Sequence, residues 1–314
     1  MTDSEKKKAS EQIKEKASEL GFDLTGITST RILKENAEIL KDWCNAGMNA
    51  EMYYLANNIE KRSNPDLLFP GTRSVIVTGL NYYTDRKQGG NGIPLFSRYA
   101  YGSDYHPIIL QKLNALIGHI QEICPGTHSK AYVDSAPIFE KAWAVNAGLG
   151  WQGKNSLLLN MNAGSFFFIG IILTDVELEN DDPFKEDHCG NCRLCIEACP
   201  TGAINSNRTI DARKCISYIT VERRTPVTND EAEKFEDRVF GCDKCQEVCK
   251  WNKKATQHNH PELNISDKLR SASASDLLNL TKEDYKRLFL NSSVLRQKYE
   301  IFVENVARIT KTEL

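Results

Sequence analysis

Along the first 175 residues the apolar positions change period several times, and each change marks a new element. Ile13, Ala17 and Leu20 share one face of residues 4–20, with Lys and Glu over the rest, which predicts an amphipathic helix ended by Gly21. A short strand is predicted from Phe22 to Ile27, and a helix from Ile32 to Ala46 closed by Gly47. Ser74 to Leu80, rich in Val and Ile, reads as a buried strand. Gly89 to Gly92 reads as a flexible loop. Behind Pro107, the residues Ile109, Leu110, Leu113, Leu116, Ile117 and Ile120 recur at helical spacing. Lys130 to Val133 predicts a short strand, and Ser135-Ala-Pro137 starts a helix running through Trp143 and Val145. Leu157–Leu159 and Phe166–Leu173 read as two strands joined by a turn at 162–164. Residues 1–175 thus predict an α/β layer domain. An acidic linker opens residues 176–254, and residues 255–314 are mostly helical, at Lys282 to Leu290 and Leu295 to Ile309.

Phe96 to His106 fits neither a helix face nor a strand face. Ser97, Arg98, Tyr99, Tyr101, Asp104, Tyr105 and His106 mix aromatic and polar character, which suits a pocket wall better than a packed core.

Residues 188–254 are organised by cysteine. Cys189-Gly-Asn-Cys192-Arg-Leu-Cys195-Ile-Glu-Ala-Cys199-Pro200 has the spacing of two-cluster bacterial ferredoxins, in which the fourth cysteine serves the other cluster. Cys215 and Cys242-Asp-Lys-Cys245-Gln-Glu-Val-Cys249 supply the second set. Matched to that template, one 4Fe-4S cluster takes Cys189, Cys192, Cys195 and Cys249, and the other takes Cys199, Cys215, Cys242 and Cys245. A pair of zinc sites is the competing reading, but zinc ribbons need two separated C-x2-C pairs. Cys44 and Cys124 lie outside the pattern and read as small buried apolar residues.

Composition adds limits. At 40% hydrophobic and 26% charged, with a formal net charge of −2, global charge makes no case for nucleic acid. The pairs Arg213-Lys214, Arg223-Arg224 and Lys253-Lys254 are local exceptions. The longest apolar run, Phe166 to Leu173, is eight residues, far below the ~20 a bilayer requires. The N-terminus has no apolar signal core, so a cytoplasmic protein without a membrane partner is expected.

Two clusters make an electron wire, and the domain in front of them is where electrons would be used. No G-x-G-x-x-G after a strand and no P-loop signals a dinucleotide or ATP. Asp104-Tyr-His106 resembles the start of the D-x-H-x-x-G loop of many cobalamin proteins, but position 109 is Ile. Asp134 follows a strand and precedes a helix. It can cap that helix, or stand at the mouth of the sheet, where burial would raise its pKa and make it a proton donor.

Val133-Asp134-Ser-Ala-Pro137, Lys141-Ala-Trp-Ala144, Gly148-Leu-Gly-Trp151 and Gly153-Lys-Asn155, followed by the doubled cysteine motif, resemble the epoxyqueuosine reductases. Glu60-Lys-Arg62, Phe96-Ser-Arg98, Gly102-Ser-Asp-Tyr-His106 and Cys215-Ile-Ser-Tyr-Ile-Thr220 are similar to the same family, over about residues 10–254. The resemblance implies a cobalamin domain like that of reductive dehalogenases, a two-cluster ferredoxin-like module and a short helical C-terminus. It implies reduction of epoxyqueuosine to queuosine at the wobble position, 34, of tRNAs with a QUN anticodon, those for Tyr, His, Asp and Asn. An external donor would send electrons through both clusters to cobalamin held base-off, and Asp134 would protonate the leaving oxygen. Cobalt–carbon bonding and radical chemistry both stay open. The family pattern assigns cobalamin contacts to Arg62, Ser97, Asp134, Asn155, Leu158, Ile169, Ser217 and Asp243. Position 97, Cys in some members, is Ser here. Arg223, Arg224, Lys253 and Lys254 are the tRNA candidates. Many members carry a C-terminal helical-repeat extension, whose contacts would be absent or replaced in this chain, expected to act as a monomer. A small-molecule dehalogenase-like enzyme and a plain electron carrier are the rival readings. The first usually carries a twin-arginine signal, and the second has no use for the N-terminal domain.

Overall fold

The computed structural model describes residues 1–89 and 93–312, so the predicted loop at Gly89 to Gly92 lies, from Gly90 on, outside the described residues. Eight strands are described: β1 (Leu24–Ser29), β2 (Ser74–Asn81), β3 (Leu95–Phe96), β4 (Ser129–Tyr132), β5 (Trp151–Gln152), β6 (Leu158–Leu159), β7 (Phe167–Thr174) and β8 (Arg238–Phe240). The main sheet has the order β1-β2-β7-β4, and every neighbouring pair is antiparallel. It is therefore the α+β form of the expected layer domain.

Alternation along the central strands sorts side chains to two faces. Ile76 and Leu80 on β2 and Phe168 and Ile172 on β7 pack with Ile13 of helix Asp3–Glu19 and with Ile109, Leu113 and Leu116 of helix Tyr105–Ile123. Val75, Val77, Ile171 and Leu173 face the other way, onto Trp143 and Ala144 of helix Glu140–Asn146. Cover on both faces explains why β2 is buried along its whole length rather than at alternate positions. Helix Asp3–Glu19 starts with a capping box made by Thr2 and Glu5.

The two strands read at Leu157–Leu159 and Phe166–Leu173 form, with a turn between them, but they do not pair with each other. β6 pairs with β5, while β7 runs down the middle of the main sheet. An apolar run buried on both faces belongs at a sheet centre, which sequence period alone does not reveal.

A separate core joins the chain's two halves. Phe96, Ala100 and Tyr101 pack with Ile216, Phe235, Phe240, Phe289, Phe302 and Val306. β3 lies parallel to β8 and ties this segment to the cysteine module. A second seam runs through buried Asn252 and Gln246, which both bond to Ser165 beside β7. No described helix is long and apolar enough to cross a membrane.

Candidate active site and cluster cradle

β4 delivers the chain to Asp134, and there the backbone turns into the left-handed region, φ 46°. Asp is among the few residues that adopt it readily. The predicted helix does not begin at Ser135. It spans Glu140–Asn146, and its N-cap position, Phe139, gives no side-chain bond. Pro137 biases Ala136 away from helical geometry and delays the start. Asp134 therefore caps no helix. Its own backbone N–H donates to Glu140 Oε1 at 2.5 Å.

The Asp134 carboxylate meets His106. His106 Nε2 lies 3.3 Å from Asp134 Oδ2, and His106 Nδ1 lies 2.6 Å from Asp104 Oδ1. Asp104 also caps helix Tyr105–Ile123 by accepting from the His106 backbone N–H at 3.0 Å, which fixes the imidazole over its partner. Tyr105 stacks on both His106 and Phe168. Asp104 first, then Asp134, favour the imidazolium and push His106 up to about 9. Asp134 moves the opposite way from the sequence expectation. Its side chain is 54% exposed, and the His106 hydrogen bond holds it below the usual carboxylate range. Burial, with Asp134's charge beside it, pushes Glu140 up to about 8. At neutral pH the site thus holds protons on His106 and Glu140, not on Asp134. Neither was singled out from sequence as a site residue; the Asp104-Tyr-His106 spacing was the available signal.

Four cysteines, Cys189, Cys192, Cys195 and Cys249, line one surface cavity together with Lys154, Asn155, Leu159, Leu194, Lys250 and Trp251. The thiols border a space rather than converge on a point, and among the described residues no group of three His, Cys, Asp or Glu is arranged for a lone ion. A cubane cluster fits such a space. Donors to sulfur are in place: Trp151 Nε1 is 3.4 Å from Cys189 Sγ, and the Trp251 and Asn252 backbone N–H groups bond Cys249. Lys154 Nζ clamps the loop by donating to the Gly190 and Cys192 carbonyls at 2.6 and 2.9 Å.

The other quartet is drawn together as well. Burial and then mutual repulsion raise Cys242 to about 12, Cys215 bearing on it, while Cys199 bears on Cys215 and both Cys242 and Cys215 bear on Cys245. The Ser217 N–H bonds Cys215, and the Ala203 N–H donates to Cys199 Sγ at 3.3 Å. Asp243, between two of these cysteines, is buried. It accepts from the Ser97 hydroxyl and the Arg98 N–H and pairs with the Arg98 guanidinium at 3.1 Å. Gly241, φ 70°, lets this seam close, because a Cβ there would stand 2.5 Å from Ser97 Cβ. Cys245 bears on both Lys141, next to Glu140, and Cys195 of the first quartet. Cys245 thus lies within electrostatic reach of both Lys141 and Cys195.

The remaining candidates divide. Arg62 is half-buried within electrostatic reach of Glu140, and its Nε is buried without a partner. Asn155 and Leu158 are buried in the β5–β6 region, and Ile169 is the one half-open position of β7. Arg223 is largely buried and paired bidentately with Glu231 at 2.7 and 2.8 Å. Arg224 is exposed and donates to the Arg296 carbonyl. Lys253 and Lys254 sit on the turn after Cys249, beside the first quartet. Cys124 is buried and Cys44 half-buried.

Residues 62–135 match the family model described as "Epoxyqueuosine reductase QueG, DUF1730", and residues 188–252 match a 4Fe-4S double cluster binding domain. An epoxyqueuosine reductase of Cellulophaga algicola is 42% identical, covering 96% of this chain and 98% of that protein. The Escherichia coli epoxyqueuosine reductase is 36% identical over 95% of this chain and 79% of its own length. A crystal structure of epoxyqueuosine reductase with a tRNA-Tyr epoxyqueuosine-modified stem loop superimposes with a TM-score of 0.88 at 27% identity, covering 96% of this chain and 80% of that one. A catabolic reductive dehalogenase shares the fold alone, with a TM-score of 0.54 at 17% identity over 94% of this chain and 38% of that one. Identity at this level along nearly the whole length makes the chain a member of the epoxyqueuosine reductase family, an oxidoreductase with a double iron–sulfur cluster domain.

Proposed function

We propose that this chain reduces the epoxide of epoxyqueuosine to the alkene of queuosine at wobble position 34 of tRNAs for Tyr, His, Asp and Asn. It works in the cytoplasm as a monomer fed by an external electron donor. The reaction consumes two electrons and two protons and releases water. Residues 1–175 hold cobalamin and the modified base, 176–254 hold two 4Fe-4S clusters on the two cysteine quartets, and 255–314 close the far side of the cluster module.

The residues near Asp134 fit a large cofactor. Arg62 Nε is a buried donor with no acceptor, and Ile169 opens an otherwise buried strand. Arg62, Asn155, Leu158, Ile169 and Ser217, with the hydrogen-bonded pair Ser97 and Asp243, would hold cobalamin. When bound, the two clusters would supply single electrons and cobalamin, held base-off, would supply the reductant for the epoxide.

The protein's own part is the protons. An alkoxide leaves badly unless it is protonated, and a placed donor is worth typically 10²–10⁴-fold. His106 Nε2–H faces Asp134 Oδ2, so a proton passes from imidazolium to carboxyl to the opening epoxide oxygen. Glu140, against the Asp134 backbone, stores the second proton needed to release water. The observation that carries this reading is the Asp104–His106–Asp134 chain with Glu140 beside it. Nucleoside mass spectrometry of tRNA from a strain lacking its own reductase tests it: this chain should convert epoxyqueuosine to queuosine. Unchanged epoxyqueuosine alongside a fully loaded, folded protein refutes it.

A further inference from the structure

Lys250, Lys253 and Lys254 stand on one 3₁₀ turn, Lys250–Lys254, directly after Cys249. All three are exposed. Nearby cations are neutralised, Arg193 by Glu197, Arg208 by Asp187 and Lys244 by Glu236. Lys250, Lys253 and Lys254 have no carboxylate partner among the described residues. Lys250 and Lys254 lie 5.2 and 5.9 Å from the Trp251 ring centroid, and Trp251 walls the first-quartet cavity. Another wall of that cavity is Leu194, an apolar side chain left 46% exposed. The first-quartet cavity thus has an apolar spot at its rim and unpaired positive charge beside it.

We propose that this face docks a small acidic redox protein that delivers one electron at a time to the cluster of Cys189, Cys192, Cys195 and Cys249. Electron-transfer encounters are small, often under about 1,200 Å² in total, and are guided by complementary charge around an apolar centre. Leu194 with its lysine rim has that form. A phosphate backbone calls for charge rather than an exposed leucine, and Leu194, Lys250 and Trp251 line the same cavity as the four cysteines of the first quartet. Two dockings serve each epoxide, and each oxidises the carrier by one electron. The proposal rests on the first quartet holding a cluster, so iron content is measured alongside.

The test uses the full, reconstituted chain and a reduced flavodoxin as probe. Stopped-flow bleaching of the cluster absorbance gives the second-order rate, and titration gives the affinity. In Lys253→Glu/Lys254→Glu the rate and affinity at low salt should fall about tenfold or more, and the wild-type rate should fall with rising salt. Iron content, reduction by dithionite and affinity for an anticodon stem-loop should hold. Lys7→Glu/Lys8→Glu, on the exposed side of helix Asp3–Glu19, should behave as wild type. If the double reversal loses iron, Lys253→Gln/Lys254→Gln replaces it, with an expected loss of a few fold. A carrier rate within twofold of wild type in iron-replete variants overturns the proposal. So does a loss of stem-loop affinity with the carrier rate intact, which would give these lysines to RNA.

Discussion

Asp134→Asn isolates the proton chain. His106 sits 2.6 Å from Asp104 and 3.3 Å from Asp134, and its rise from 6.5 to about 9 is an upper bound of about 3 kcal/mol for the charged form. Asp104 is the larger cause, so removing Asp134's charge should lower the His106 pKa but leave it above its ordinary value. The Asp134 side chain is 54% exposed, and Asn tolerates the same left-handed backbone, so stability should change by less than about 1 kcal/mol. The linkage has a definite sign: His106's contribution is fully present below pH ~6.5 and is lost as pH rises through about 9. Turnover should drop about 10²-fold or more, because amide cannot pass a proton from His106 to the epoxide oxygen. Single-turnover assays on chemically reduced protein with an epoxyqueuosine stem-loop remove electron supply as a variable. In the wild type the rate should hold to about pH 7, halve near pH 8 as Glu140 loses its proton, and fall more steeply through about 9 as His106 follows. NMR titration of His106 reads the pKa directly. A variant turning over within a few fold of wild type, or a wild-type rate flat beyond pH 10, refutes the reasoning.

Reconstituted protein should carry about eight irons, and Cys249→Ser should disturb the site of Cys189, Cys192 and Cys195; a count near four or stoichiometric zinc refutes the assignment. Gly241→Ala should cost roughly 1–3 kcal/mol in a thermal melt, since its Cβ would meet Ser97 at 2.5 Å in a left-handed backbone; an unchanged Tm contradicts the packing. Arg223→Ala should lower Tm and leave stem-loop affinity intact, because its guanidinium is held by Glu231; the reverse pattern on a salt titration would return it to the tRNA surface.

The double cluster module was readable because cluster ligands must be a fixed residue type at a fixed spacing, and that spacing is local. The amphipathic helices were readable for the same reason, since their periodicity is local. What escaped was pairing at a distance. An apolar run announces that β7 is a strand but not that β2 and β4 flank it. His106 is 28 residues from Asp134, and nothing in either neighbourhood encodes their contact. The direction of the Asp134 pKa escaped with it, because burial and a charged partner push oppositely and only the fold says which one wins.

The core shared by Phe96, Phe240 and Phe302 also bears on how the protein is made. Cys215 and Cys242 pack against that core, and its far wall is built by residues 285–309. Gln297 donates to the Thr220 carbonyl, and fully buried Asn305 accepts from the Val227 N–H, so these residues brace the loop from within. On the ribosome, all eight cluster cysteines emerge before helix Tyr299–Thr310 exists to support them. The four-stranded sheet can fold while synthesis continues, as N-terminal units do. The wall behind Cys215 and Cys242 is complete only once translation has passed residue 309, so a cluster held there would be inserted late in biogenesis.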